Sequence, residues 1–400
     1  MLLPSRFRHI CKALLFGCGL FLTFGIAAAN ATLPAPAPNC EETKRIIRGG
    51  VDWLIRGQQS TGLFTYERFT QEKADRETQN MTRQIGTLWS MTRSLEVLDR
   101  PEVRRSIDRA RAAIAGFVET NHSPDGDVAF IEEMEIAKLN AAALYLLTLT
   151  ELQQKAFSLT VDEQRHLPML AAGLRQMRED SGGFRYLYFM PRQENRITTY
   201  GSAEAVLALA AYAEHESDAQ LKDYALDSFN RYYKSYLAEA EGFGSTDLRG
   251  YFSWALQAQM LLQDDLESSY HGPIRAMVEK ALTYRSNNAA CATAGCIVVP
   301  DLTDAPFLEG IMAALPIMRR YETNRTLLAD AESYAALALR QIADLQVTEN
   351  DTELLTASPR PTADLLGGFC DSAACIYMRN DLAQHALIAL TAYYGQECAA

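Results

Sequence analysis

The chain alternates between two kinds of helical pattern. In the first, apolar residues keep to one face: Val103, Ile107, Ile114, Phe117 and Val118 recur at helical spacing while Arg104, Arg105, Asp108, Arg109 and Arg111 fill the other side. That is the pattern of a helix half in water. In the second kind the helix is apolar nearly all round, as over 139–149, 203–213 and 386–393, which is stable only when neighbours surround it. Short glycine-centred turns separate the two kinds: Gly62-Leu63-Phe64, Gly126-Asp127-Val128, Gly183-Phe184, Gly242-Phe243-Gly244, Gly295-Cys296-Ile297 and Gly368-Phe369. They recur at steps of roughly 50 to 75 residues, enough for one helical hairpin each.

This alternation predicts outer helices near 41–58, 101–119, 162–179, 218–238, 273–286 and 324–346, and inner partners near 79–98, 132–154, 199–215, 248–266, 305–321 and 381–396. Strand-type alternation is nearly absent; 184–189 and 296–299 are at most short hairpin arms. The expected fold is all-α, a single (α/α)6 toroid of six helical hairpins over 40–400. An open solenoid of helix pairs is the main alternative. Closure is favoured because a cysteine stands near each end and no polar capping repeat appears at either terminus.

The ends add a compartment. Arg6, Arg8 and Lys12 precede an apolar run from Ala13 to Ala29 and then Ala29-Asn30-Ala31, the order of a secretory signal peptide over 1–31. Residues 32–39 read as a Pro/Ala-rich tether, so the expected location is secreted or periplasmic. No later stretch is apolar and long enough to span a bilayer. A net charge of −12 disfavours nucleic acid and anionic membranes as partners, and an anionic polymer would need local Arg or Lys clusters to overcome that field. Removing the signal leaves Cys40, Cys291, Cys296, Cys370, Cys375 and Cys398, an even set for which disulfides are the default in an exported chain. Cys291 with Cys296 and Cys370 with Cys375 close small loops, leaving Cys40 with Cys398 to join the two ends. A zinc site built with His385 fits no common ligand spacing, and neither metal nor cofactor is expected.

In a ring of hairpins the N-termini of the inner helices open on one mouth, where free N–H groups and positive dipole ends gather ligand contacts. Polar residues cluster at these positions. A polar group inside an apolar helix is costly unless partnered, so each calls for a reason. Glu204 and Glu309 are the sharpest cases and the expected catalytic pair, with Asp381 in reserve. Arg83, Gln84, Lys138, Asn140, Tyr200, Trp254, Gln257 and His385 are the expected substrate-binding set. Asn80, Glu132, Glu133, Glu135, Asp247, Arg249, Asp304 and Asn380 stand at the same helix starts, and Tyr186, Tyr188, Tyr251 and Phe252 offer stacking faces. The plain structural alternative is that the carboxylates cap helices or pair with Arg83, Lys138 or Arg249 in a buried network.

Two segments carry a resemblance: Gly182-Gly183-Phe184 followed by Glu204-Ala205-Val206-Leu207-Ala208-Leu209, and Gly367-Gly368-Phe369 followed by Gln384-His385-Ala386-Leu387. In them the chain resembles the six-hairpin toroids of carbohydrate-active proteins: glycoside hydrolases, polysaccharide lyases, N-acylglucosamine 2-epimerase-like enzymes and the helical domain of glucuronyl C5-epimerases. The likeness covers the mature chain as an architecture and matches no single family's catalytic motif. It implies a funnel that handles a glycan or other small polar ligand. The 2-epimerase-like group relies on paired histidines, which this mouth lacks; toroidal lyases use Tyr, His and Arg, which Tyr200, His385 and Arg83 could supply. The first expectation is a glycoside hydrolase in which one carboxylic acid protonates the leaving oxygen while a second carboxylate activates water. The alternative is a non-catalytic glycan-binding or assembly protein of the cell envelope.

Overall fold

The computed structural model describes residues 36–76, 80–123, 126–191, 194–239, 246–262, 270–288 and 305–399, all within one compact unit, Ala35–Ala400. The segment read as a signal peptide lies outside these residues, as do Cys291, Cys296 and Asp304. Fourteen helices are present among the described residues. Six are outer helices: α1 (Cys40–Arg56), α3 (Pro101–Ala115), α5 (Val161–Gln176), α7 (Ala219–Glu239), α9 (Arg275–Asn288) and α11 (Arg325–Asp344). Six are inner: α2 (Met81–Ser94), α4 (Leu139–Gln154), α6 (Thr199–Glu216), α8 (Thr246–Leu262), α10 (Ala305–Tyr321) and α14 (Asn380–Glu397). Two short ones, α12 (Thr352–Ala357) and α13 (Thr362–Leu365), precede the last.

Each inner helix packs against the next in chain order, and α14 packs against α2, so the inner ring closes. The residue pattern explains the layering. Every residue of α4 from Leu139 to Leu152 is buried, whereas α3 buries only Val103, Ser106, Ile107, Ala110 and Ile114. The buried hydroxyls of α2 are satisfied locally, as Thr87 donates to the Arg83 carbonyl at 2.8 Å and Ser94 to that of Ser90 at 2.8 Å, so their burial costs little.

The glycine–aromatic turn is one repeated device. After α1 and α5 the chain makes the same tight turn, bridging Gln58 to Phe64 and Arg178 to Phe184, and after α11 the corresponding bridge, Gln346 to Phe369, closes a longer segment that holds α12 and α13; each phenylalanine is buried. The glycine takes a left-handed backbone because the turn lies hard against the next outer helix. A Cβ on Gly182 (φ +87°) would stand 2.5 Å from the Ser228 carbonyl of α7, and one on Gly367 (φ +82°) would stand 2.2 Å from that of Gly49 in α1. The relation of one hairpin to the next is thus repeated across the join between the last hairpin and the first. Cys40 and Cys398 are disulfide-bonded there, with α-carbons 5.5 Å apart, and Cys370 is bonded to Cys375.

The strands exceed the sequence expectation. β1 (Glu67–Phe69), β2 (Asp75–Arg76) and β8 (Tyr377–Arg379) form one sheet in the order β2-β1-β8; β3 (Val118–Ser123), β4 (Gly126–Glu133) and β5 (Ile136–Ala137) form a second, and β6 (Phe184–Arg185) pairs with β7 (Ile197–Thr198). Val118 therefore starts a strand rather than extending α3, and Glu132 and Glu133 end β4 rather than opening α4. Val128, expected in a turn, belongs with Ala129, Phe130 and Ile131 to the middle of β4, where all four are buried. All these strands lie in segments running from an outer helix to the following inner one. The reverse connections, such as 95–100, 155–160 and 217–218, are short. Among the described residues no helix is long and apolar enough to cross a membrane.

Candidate functional site

The strand-bearing connections and the inner N-termini share one end of the barrel, and a hollow opens there. Its deeper part, about 310 Å³, is lined by Arg83, Tyr200, Glu204, Arg379, Asp381 and His385 among others. A side chamber of about 350 Å³ shares Thr82, Arg83 and Tyr200 with it and adds Asn80, Lys138, Asn140, Tyr186 and Arg196. Helix starts supply most of these groups. Asn80 caps α2 through its side chain, which accepts from the Arg83 N–H, and Arg83 then projects from the first turn.

A second cavity, about 510 Å³, occupies the opposite end, lined by Trp89, Glu151, His215, Gln257, Glu309 and neighbours. Between the two lies a buried partition. Trp254 is fully buried, 5.0 Å from the Trp89 ring and 6.5 Å from that of His385 between centroids. His385 belongs to the mouth hollow while Glu309 lines the far cavity, and they meet through Nδ1 and Oε1 at 2.6 Å. The other Glu309 oxygen accepts from Ser253 at 3.1 Å and lies 3.5 Å from the Gln257 amide.

Each titratable group is set by its surroundings. Burial pushes Glu204 well above the usual carboxylate range, and the bond that its Oε2 accepts from the Asn140 amide offsets only part of this; it is a neutral acid. Burial would also raise Asp381, but the Arg379 fork (2.8 and 2.6 Å) and the Arg83 charge (3.2 Å) outweigh it and hold Asp381 below its ordinary value. His385 shows the same contest with the opposite charge: burial disfavours the imidazolium, yet the Glu309 carboxylate prevails and raises the imidazole above 6.5. Burial carries the Tyr200 phenol well above its normal range, so it stays a neutral hydroxyl.

Of the residues expected to act together, Glu204, Asp381, Arg83, Tyr200 and His385 line the deep part of the hollow, and Lys138 and Asn140 the side chamber. Glu309 does not line it, because its carboxylate is occupied beneath the histidine. Gln84 lines neither part of the hollow, because its head group is committed elsewhere: its amide clamps the Phe64 backbone, accepting from the N–H at 2.8 Å and donating to the carbonyl at 2.7 Å. Trp254 is part of the floor, and Gln257 faces the far cavity. Tyr251 and Phe252 are core residues packed on Tyr236 and Phe307, and Glu133 accepts from the Met81 N–H at 3.1 Å. Nothing is described of the Asp247 and Arg249 side chains. Arg379 and Arg196 were missed by sequence reasoning. Each stands in a strand or loop just before an inner helix, and only the fold shows that such positions face inward. Among the described residues no group of three or more His, Cys, Asp or Glu side chains is placed to hold a metal ion, and Cys370 and Cys375 are spent on each other rather than on zinc.

No protein-family profile matches the sequence, and no characterised protein sequence matches it. Solved structures do. The α-mannanase of glycoside hydrolase family 76 from Bacteroides thetaiotaomicron aligns over 89% of this chain and 95% of its own with a TM-score of 0.57 at 12% identity. Cellobiose 2-epimerase from Bacillus thermoamylovorans aligns over 88% and 98% with a TM-score of 0.59 at 10% identity. An unsaturated glucuronyl hydrolase specific for heparin aligns over 90% and 98% with a TM-score of 0.59 at 12% identity. The chain therefore has the (α/α)6 toroid fold of enzymes that process carbohydrates.

Proposed function

We propose that the protein is an exported enzyme that cleaves a glycosidic bond in the mouth hollow by general acid–base catalysis, with Glu204 as acid and His385 as base. The observation that carries this is the convergence on one hollow of a neutral carboxylic acid and an imidazole whose far nitrogen is fixed by a buried carboxylate. Groups with environments this different divide into proton donor and acceptor. Glu204 gives its proton to the glycosidic oxygen as the bond to the anomeric carbon breaks. Water adds to that carbon, and its proton passes to His385 Nε2. Glu309 orients the ring and stabilises the imidazolium that forms, the part a carboxylate plays behind a catalytic histidine. Asp381 is a poor base because Arg379 holds both of its oxygens; it anchors the two arginines instead.

Support for export comes from the 1–31 segment and from two disulfides, Cys40–Cys398 and Cys370–Cys375, which persist in oxidising compartments. A second reading, a non-catalytic glycan-binding protein, is favoured by two features: the barrel is closed beneath the hollow, and Glu204 is already bonded to Asn140. Turnover decides between them. Purified protein is screened against neutral and acidic glycans, with Glu204→Gln and His385→Asn as controls. Product release by wild type that falls at least about 100-fold in each variant, the usual scale of a proton-transfer group, is the expected result. Activity retained in either variant removes this assignment, and binding without turnover establishes the second reading.

A further inference from the structure

We infer that the mouth selects a glycan carrying an anionic group, a carboxylate or a sulfate ester, at the sugar held beside Arg83 and Lys138. The inference rests on the proposed site but concerns what enters it rather than what happens there. In a chain of net charge −12, four cations line the joined hollow: Arg83, Lys138, Arg196 and Arg379. Their counter-charge is small. Asp381 is shared between Arg83 at 3.2 Å and Arg379 at 2.6 Å. Glu204, the other acid of the lining, is buried, which favours its uncharged form.

Among the described residues neither Lys138 nor Arg196 makes an ion pair, and the Arg196 guanidinium rests only on the Tyr186 ring, 5.9 Å from its centroid. Of the acids around the lining, Glu133 is engaged by the Met81 N–H at 3.1 Å and Glu67 is paired with Arg76 at 3.3 Å. Positive charge left uncompensated in a concave site, against an acidic protein, is an attractor for anions. The far cavity has the contrary balance, with Glu96, Glu151 and Glu214 facing Arg93 and His215, so the field runs along the barrel and is positive at the mouth. Geometry adds specificity. Arg83 is stacked on Tyr66 at 4.7 Å and pre-set, and a guanidinium fork matches a carboxylate or sulfate oxygen pair. A neutral sugar leaves the Lys138 ammonium without a counter-charge.

The test measures binding of three probes of matched length to the full protein: oligogalacturonate, a heparin oligosaccharide and a neutral manno-oligosaccharide. At low salt the anionic probes are expected to bind at least about tenfold more tightly than the neutral one, with affinity falling as salt rises. Preference for oligogalacturonate assigns the carboxylate; preference for heparin, which carries carboxylates too, assigns the sulfate when a desulfated heparin oligosaccharide of the same length loses it. Lys138→Ala with Arg196→Ala, both outside the acid–base pair, should weaken anionic binding at least about tenfold and abolish the preference over the neutral probe. Equal affinity for all three probes, absence of binding to any, or an unaltered double variant overturns the inference. The failures are separable: anionic binding without turnover spares this inference and removes the catalytic reading, whereas turnover of the neutral probe with no anionic preference does the reverse.

Discussion

The bond between Cys40 and Cys398 allows a quantitative test of ring closure. It spans a sequence separation of 358, against 5 for Cys370 and Cys375. In the chain-entropy treatment, loops of these sizes remove about 6 and about 2 kcal/mol of unfolded-state freedom respectively at 25 °C. A unit of this size has a melting entropy near ~0.75 kcal/mol per degree. Replacing Cys40 and Cys398 by Ala is therefore expected to lower Tm by about 8 °C, and replacing Cys370 and Cys375 by about 3 °C. Differential scanning calorimetry of both variants, with reduced wild type as a third sample, measures this. The order matters more than the values, since measured disulfide effects often fall short of the entropic figure. A Cys40/Cys398 variant that melts at or above the Cys370/Cys375 variant refutes the view that this bond constrains the whole unfolded ring.

Three other outcomes are expected. The His385 ring, followed by NMR, should titrate above 6.5 in wild type and below it in Glu309→Gln, because burial alone favours the neutral ring; the pair's contribution to stability is full below pH 6.5 and lost as pH rises through the raised value, and an unmoved midpoint contradicts the assigned pairing. Gln84→Ala should cost about 1–3 kcal/mol in urea unfolding by stranding the Phe64 backbone groups, while glycan affinity changes little; lost affinity at full stability would restore Gln84 as a ligand contact. Gly250→Ala puts a Cβ 1.6 Å from the Tyr200 ring, so the ring must move; binding at the mouth should weaken with a stability loss of about 1–3 kcal/mol, and an unperturbed variant would show that Tyr200 is not held by this contact.

What was legible in the sequence followed from burial. A helix apolar all round has to be surrounded, so the inner ring, its partners and the pairing of Cys40 with Cys398 could be read from pattern. The hairpin from Val118 to Glu133 could not, since one side of it packs on α5 and its apolar residues also suit a helix. Polar residues on inner helices were legible as a set but not individually. Gln84 follows Arg83 on α2, while Trp254 and Gln257 lie midway and further along α8, and depth along the helix or rotation about its axis decides whether a side chain meets the hollow, a neighbouring backbone or the far cavity. Glu309 shows this best: its place on α10 marks it as costly to bury, and only the structure reveals that His385, from another hairpin, accounts for it.

The latch between β1 and β8 bears on how a newly made chain acquires its site. Glu67 pairs with Arg379 and Phe69 with Tyr377, and the Asn380 N–H donates to the Tyr66 carbonyl at 3.0 Å, joining segments about three hundred residues apart. Five hairpins can stack as they emerge, each on its predecessor, but α1 and α2 keep a bare face until α14 arrives. Closing so long a contour is slow and exposes apolar surface meanwhile. Arg379, Asp381 and His385 belong to that final segment and Arg83 to the early one it meets, so a chain cut short before residue 379 would lack both the seal and the groups assigned to chemistry.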